Sequence, residues 1–494
     1  MWICSQIGAR EHYAIPRALH KAGRLDTLYT DFWAGRALRR AQKMVDGRLK
    51  IGALRSLAAR YHPEMDTKSE ILKAESRNEI GEAVSQRLHR PGKAEIVSWN
   101  FRALWWEGML LRKKQRLRKQ KAETGKEVRG QRTEDSGLYY GFIEVGRRFA
   151  IRVRESLKRR PDLNAGTIFF AYDTGALESM EWCRERGIKC VLNQMDPSRV
   201  EVDLVRSEEK QWPGWALEDI QVPEAYFVRR EKEWALADRV VVNSEFSSEA
   251  LLQQGVPPEK LVVIPLCYEV GDGKVGDGRW EIGDGKAESR KQKVEIGNRK
   301  SGVSGQKSVV SGQWSSGLRG ASPLRVLFLG QVILRKGIQY LLAAARDLER
   351  ENIRFDVVGS IGISRMAMAT APGNVTFHGR TGREQAADWY RRSQLFVLPT
   401  LSDGFGITQL EAMAHGLPVI ATPCCGEVVS DGVDGFIVPP RDAGALMRTF
   451  RRYLAQPEVL SSQSAAARVK AGHFTLDRLA ANLRKVEEEL EDGR

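Results

Sequence analysis

Asp403 and Glu411 stand eight positions apart, the first in a short loop bearing Gly404 and Gly406, the second in helix-patterned sequence closed by Gly416. A strand ends at Pro399 or Thr400 just before this loop, so both carboxylates can face the mouth of a cleft. The first amides of the helix, Gly406 to Thr408, suit an anion, because the helix dipole and unpaired donors converge there. Glycine at 404 and 406 lets a phosphate approach the backbone closely. Earlier in the chain, Arg335-Lys336 falls between a strand ending at Gly330 and a helix starting near Gly337. Two cations at a helix N-terminus oppose the macrodipole by roughly 0.3–1 kcal/mol, an arrangement more easily understood if an anion neutralises them. The fork of an Arg beside the point charge of a Lys suits a diphosphate. Plainer readings exist for both features. Thr408-x-x-Glu411 fits a capping box, and Arg335 and Lys336 fit a pair of solvated surface cations.

The elements that must position these residues follow a regular alternation. After residue 322, strands at 325–330, 355–359, 374–379, 395–400, 418–422 and 435–438 alternate with helices near 337–349, 383–392, 406–415 and 443–455. Runs such as Val326-Leu-Phe-Leu are apolar without interruption, which means burial on both faces and a parallel sheet wrapped by helices. Before residue 269 the same pattern recurs, with strands at 2–6, 27–30, 95–98, 167–172, 190–193, 239–243 and 261–265, and helices at 175–186 and 247–254. The fold class is therefore α/β, with two Rossmann-like doubly wound domains facing a central cleft at the carboxyl ends of their strands. The domain reading is 1–268 for the first, 269–322 for a low-complexity linker or insertion, and 323–472 for the second. Residues 473–494 form a terminal helix that can cross back to the first domain. The stretch 271–322 carries 12 of the 46 glycines, too little apolar material to offset chain entropy, and receives no chemistry.

Composition narrows the function. With 494 residues, 42% of them hydrophobic, wholesale disorder is excluded. No apolar run reaches the roughly 18–20 residues that span a bilayer. Six scattered cysteines fit neither a disulfide framework nor a common zinc pattern, and a cytoplasmic setting is expected. The net charge of +15 is concentrated. Residues 101–121 hold eight basic side chains and one acid, with Trp105-Trp106 and Met109-Leu-Leu preceding the basic run from Arg112. An aromatic and basic segment suits the surface of an anionic membrane, at its inner face; a solvated helix followed by a basic loop is the competing reading. With no RNA- or DNA-binding motif in support, no nucleic-acid partner is expected.

Taken together, the residues from Leu324 to Leu446 resemble a known family, the retaining glycosyltransferases of GT-B fold in family 4, or group 1. Gly330…Arg335-Lys336-Gly337 looks like that family's diphosphate-binding pair. Asn374-Val-Thr-Phe-His-Gly-Arg resembles the element whose backbone, near Gly379-Arg380, borders the nucleotide base. Asp403 and Glu411 have the spacing of the family's two acids. A thinner likeness covers Ala237-Asp-Arg-Val-Val-Val-Asn-Ser-Glu and Val262-Val-Ile-Pro. The resemblance implies an enzyme that moves a sugar from a nucleotide diphospho-sugar to an acceptor hydroxyl with retention of anomeric configuration, in glycan or polysaccharide assembly. It also implies no cofactor and no metal. Glu411 would take the ribose hydroxyls and Asp403 the donor sugar hydroxyls. Gly404, Phe405, Gly406, Ile407 and Thr408 would offer amides. Arg335 and Lys336 would stabilise charge growing on the leaving diphosphate. The acceptor would be a carbohydrate, a lipid-linked molecule or a small molecule.

Three departures stand out. The first acid is Asp where the family has Glu, Gly330 is followed by Gln331 where an Arg is frequent, and the first domain lacks the family's histidine in Val191-Leu-Asn-Gln-Met-Asp196. Asp196 and His12 are candidate substitutes. The loop Gln6-Ile-Gly-Ala-Arg-Glu-His-Tyr resembles the family's acceptor loop, with Gly8 approaching the diphosphate and Arg10 meeting an anionic acceptor. A phosphorylase-like or inverting enzyme, and a catalytically retired scaffold that binds nucleotide-sugar or membrane, are the alternatives.

Overall fold

In a computed structural model the described residues are 1–6, 14–30, 95–98, 136–217, 221–268 and 322–493. The acceptor-loop residues Gly8, Arg10 and His12, the basic segment 101–121 and the linker 269–321 lie outside them.

The first domain runs β1 (Trp2–Gln6), α1 (Ala14–Lys21), β2 (Leu25–Thr30), β3 (Glu95–Ser98), α2 (Ser136–Leu157), β4 (Ile168–Tyr172) and α3 (Leu177–Arg184). It continues with β5 (Lys189–Asn193), α4 (Arg199–Gln211), α5 (Glu224–Leu236), β6 (Arg239–Val242), α6 (Glu245–Gln253) and β7 (Leu261–Val263). Its seven strands form one parallel sheet in the order β3-β2-β1-β4-β5-β6-β7. The second domain holds β8 (Leu324–Leu329), α7 (Ile338–Asp347), β9 (Ile353–Val358), α8 (Arg365–Ala369), β10 (Val375–Gly379) and α9 (Arg383–Arg391). After these come β11 (Leu395–Leu398), α10 (Ile407–Ala414), β12 (Val419–Ala421), β13 (Gly435–Ile437), α11 (Ala443–Ala455) and α12 (Pro457–Ala471), and the chain ends in α13 (Leu476–Glu491), which returns to the first domain. The second domain's parallel sheet has the order β10-β9-β8-β11-β12-β13. In both sheets the chain direction across the sheet reverses beside the first strand, β1/β4 and β8/β11, and such reversals open a crevice at the carboxyl edge.

The uninterrupted apolar strands are buried as expected: Val326, Leu327 and Phe328 are essentially inaccessible, as are Phe169 and Phe170. Leu476, Leu479, Leu483, Val486 and Leu490 of α13 recur at three- and four-residue intervals, one helical stripe. That stripe packs with Trp2, Ile15, Leu19 and Phe170, so the last helix completes the core of the first domain. The indole of Trp2 donates to Glu487 of the same helix at 3.1 Å.

Six helices lie outside those the sequence pattern marks: α1, α2, α4, α5, α8 and α12. In α5 the buried positions include Arg229, Arg230 and Glu233 beside Phe227 and Trp234, and in α12 they are Gln463, Ala467 and Ala471. Charged or small residues at inward positions erase the apolar period by which a helix is recognised. The same holds for α4, and there it matters most for the site. This helix leaves the first domain to lie on the second: Leu204, Trp212 and Trp215 pack against the second domain's core. The chain beyond it makes an antiparallel bridge, Ala216 to Ile363, and Ser364 donates its amide to the Trp215 carbonyl at 2.7 Å.

Candidate active site

Two loops meet at the β8/β11 reversal. The first carries Arg335 and Lys336 and ends at Gly337, whose φ is 72°. A Cβ there would lie 1.8 Å from the carbonyl oxygen of Pro399 in the second loop, so only glycine allows this contact. The backbone amide of Leu401 donates to the Arg335 carbonyl at 2.8 Å, and the Thr400 hydroxyl reaches the same oxygen at 3.3 Å. The cation pair is thereby tied to the loop that carries Asp403.

Arg335 donates through Nη1 to the Ser402 carbonyl at 2.9 Å and to Oε2 of Glu201, on α4, at 3.1 Å. The Ser402 hydroxyl donates to that same carboxylate oxygen at 2.7 Å. Lys336 is paired with Asp403. The side chains of Arg335 and Lys336 are 20% and 12% exposed, too buried for solvated surface cations. Their anions are protein carboxylates, one from each domain. Burial pushes the Asp403 carboxyl up, but the charges of Lys336 and Arg335 outweigh it and hold the group below its ordinary range. Burial pulls the Lys336 ammonium below its ordinary value, with Asp403 only partly compensating. Glu201 moves the other way: burial raises it, and Arg335 offsets only part of the rise.

The helix that follows differs from the capping-box expectation. Gly406 is the residue that caps α10, without any side-chain cap bond, so Thr408 lies inside the helix. Glu411 accepts from the Tyr390 hydroxyl at 2.8 Å, and Tyr390 stacks on His415. Phe405 points its ring into the core, 3% exposed, and its amide donates to Oδ1 of Asp403 at 3.4 Å. Gln409 pins this turn by donating to the carbonyls of Phe405 and Gly426. Ile407 is partly buried against the same core. Gly330, Gly359 and Gly379 follow the ends of β8 and β9 and close β10; Gly330 donates to Val358 at 3.0 Å and Gly359 to Gly379 at 2.8 Å. Arg380, next to Gly379, is exposed.

The first domain supplies the facing wall. Gly404 meets the backbone of Met195, where a Cβ would come within 1.8 Å of the carbonyl oxygen; a side chain at 404 would force the walls apart. Asp196, the next residue, receives both terminal nitrogens of Arg230, at 2.7 and 2.9 Å. Arg230 is also paired with Asp173 at the end of β4. Thr174 and Ser198 hold left-handed backbone, φ 71° and 56°, unusual for non-glycine residues. Sequence reasoning missed Glu201, Ser402, Gly359 and Arg230. Glu201 and Glu208 share a helical face with Leu204 and the later Trp212, a spacing that marks one docked stripe only once α4 is known to be a helix.

Two parallel doubly wound domains, with a buried cation pair at the reversal point of the second, define the GT-B class of glycosyltransferase architecture. Residues 323–456 match the family described as Glycosyl transferases group 1. Over 123 residues the chain is 35% identical to a D-inositol 3-phosphate glycosyltransferase of Streptomyces griseus, covering 24% of this chain and 26% of that one. A protein of the same description from Streptomyces bingchenggensis is 27% identical over 284 residues, 53% of this chain and 55% of that relative. The chain thus spans between about a quarter and just over half of the length of these curated relatives. Among solved structures, sucrose-phosphate synthase from Thermosynechococcus elongatus superposes with a TM-score of 0.54 at 16% identity, covering 100% of this chain and 99% of that one. A glycosyltransferase from Rickettsia africae gives 0.51 at 12% identity, covering 100% and 99%. At these identities the likeness is one of fold.

Proposed function

We propose that the protein is a retaining glycosyltransferase that moves a sugar from a nucleotide diphospho-sugar to an acceptor hydroxyl in glycan or polysaccharide assembly. The observation that carries the reading is the buried pair Arg335–Lys336, held at the β8/β11 reversal beside Asp403, with Glu411 eight residues on in the following helix. Diphosphate oxygens that gain charge as the sugar departs would meet these two cations. Interactions that strengthen as charge develops raise turnover more than affinity. With two cations at that position the reaction calls for no metal. Glu411 takes the ribose hydroxyls and Asp403 the donor sugar, while Gly330, Gly379, Arg380 and the backbone of 404–408 surround the nucleotide. Asp196, fixed by Arg230 on the first domain, is the candidate on the acceptor side, and Gly8, Arg10 and His12 are kept as acceptor-loop candidates from the sequence alone. The relatives described as D-inositol 3-phosphate glycosyltransferases support a polyhydroxylated acceptor.

The test is transfer or hydrolysis of nucleotide-sugars by wild type, Glu411→Ala and Lys336→Ala, with the product anomer read by NMR. Loss of turnover in both variants with the donor's anomeric configuration kept in the product supports the reading. Unchanged rates in both, or inverted product, contradict it. One observation favours a second reading, a scaffold that binds without turnover: both cations already have carboxylate partners. That reading predicts nucleotide binding with no transfer to any acceptor. Among the described residues no helix is long and apolar enough to cross a membrane. Peripheral binding to anionic membrane through 101–121 is a separate expectation, and liposome sedimentation with 105–121 deleted checks it; equal binding with and without the segment rejects it.

A further inference from the structure

We propose that Glu201 is a positioning residue: a resident anion, supplied across the cleft by the first domain, that holds Arg335 in its working position and is exchanged for the donor's diphosphate. The proposal rests on the reading of Arg335 and Lys336 as the diphosphate site and goes beyond it by giving that site a competitor built into the chain.

The geometry separates two tasks along α4. Glu208, two turns after Glu201, is fully buried and takes donors from Gln339 Nε2 at 2.9 Å, the Tyr340 hydroxyl at 2.9 Å and Arg441 Nε at 2.6 Å. With Leu204, Trp212 and Trp215 it suffices to seat the helix on the second domain. Glu201 is not needed for that task. Its partners are instead Arg335 and the hydroxyl of Ser402, and its side chain is 19% exposed where that of Glu208 is inaccessible. Arg335 keeps a second anchor, the Ser402 carbonyl at 2.9 Å, so the guanidinium stays in place when the carboxylate leaves. Burial without full compensation raises the Glu201 carboxyl, so its charge is less favoured here than in water. Ser198, immediately before the helix, has φ 56° and ψ −125°, a strained joint at which the first turn can reorient. A carboxylate and a diphosphate compete for the same guanidinium, so the incoming donor must displace Glu201, and free diphosphate product is held less tightly than the bare cations would hold it.

Calorimetric titration with inorganic pyrophosphate, the diphosphates of uridine, guanosine and adenosine, and the three corresponding nucleosides tests this on the full chain. Glu201→Gln keeps the shape and removes the charge. Its diphosphate affinity is expected to rise by about tenfold, or about 1.4 kcal/mol, with nucleoside affinity unchanged, a gain that mere structural damage does not produce. Glu208→Gln, which touches only the anchor, should give no such gain. Equal or weaker diphosphate binding in Glu201→Gln, alongside weakened binding in Arg335→Ala, overturns the proposal while leaving the diphosphate site intact. Wild-type affinity in Arg335→Ala overturns the underlying site reading instead. Hydrogen exchange on the wild-type chain supplies a check that needs no substitution. Amides of 200–204 should exchange faster with the tightest-binding diphosphate present, and slower exchange there contradicts the proposal.

Discussion

The two walls of the cleft use the same chemistry to different ends. On the first domain, Arg230 is 3% exposed, meets Asp196 with both terminal nitrogens and is paired with Asp173. On the second, Arg335 is 20% exposed, shares one nitrogen between a carbonyl and Glu201, and sits beside a lysine paired with a single carboxylate. A buried, fully answered arginine is part of the framework, because removing either partner leaves a charge stranded away from water. A half-open arginine whose anion comes from the facing domain is the one a ligand could reach. Burial and the number of fixed partners, rather than residue type, separate the lock from the site.

That contrast breaks most visibly at Arg230. Arg230→Met strands Asp173 and Asp196 and should cost about 3–5 kcal/mol of stability, read as a large fall in unfolding midpoint. A small change would mean the first wall is not held by this pair. On the second wall, Lys336→Ala should leave the fold standing and cut turnover by about 100- to 1000-fold, the range for losing one donor to a developing charge. Melting temperature and steady-state rates measured together separate the two kinds of arginine neighbour. Glu411→Ala is expected to weaken nucleotide binding by about 1.5–3 kcal/mol, as for hydrogen bonds to a charged group, with a nucleobase alone binding as before. The smallest effect concerns pH. Asp403 has a folded-state pKa below its ordinary value of 3.8, so it contributes stability that is present above that pH and lost as pH falls through the folded value. Asp403→Asn should therefore flatten the acid limb of the stability curve below about pH 4 and change nothing in shape near neutrality.

How much of this was legible in the sequence varies by element. The strands were, because a buried parallel strand such as Val326–Leu329 is apolar at every position. Arg335, Lys336, Asp403 and Glu411 were found by their places relative to strand ends and glycines, and the structure brings Arg335, Lys336 and Asp403 together. The α4 helix was not legible, since its docked face carries Glu201 and Glu208 where a pattern search expects apolar residues. The sequence pointed to a diphosphate at the cation pair; the Glu201 carboxylate that meets Arg335 from the other domain is a long-range fact that no local spacing encodes. Phe405 was read only for its backbone amide; that its ring fills the core is a packing fact the local sequence does not encode.

The central claim is that Arg335 and Lys336 form a diphosphate site. Thermal unfolding of wild type and Lys336→Ala against UDP, GDP, ADP and their sugar conjugates tests it most directly, since a ligand bound only by the folded chain raises its melting temperature with occupancy. The account predicts a rise with one nucleotide family in wild type that is lost in Lys336→Ala. No rise with any of them, or the same rise in both proteins, would contradict it.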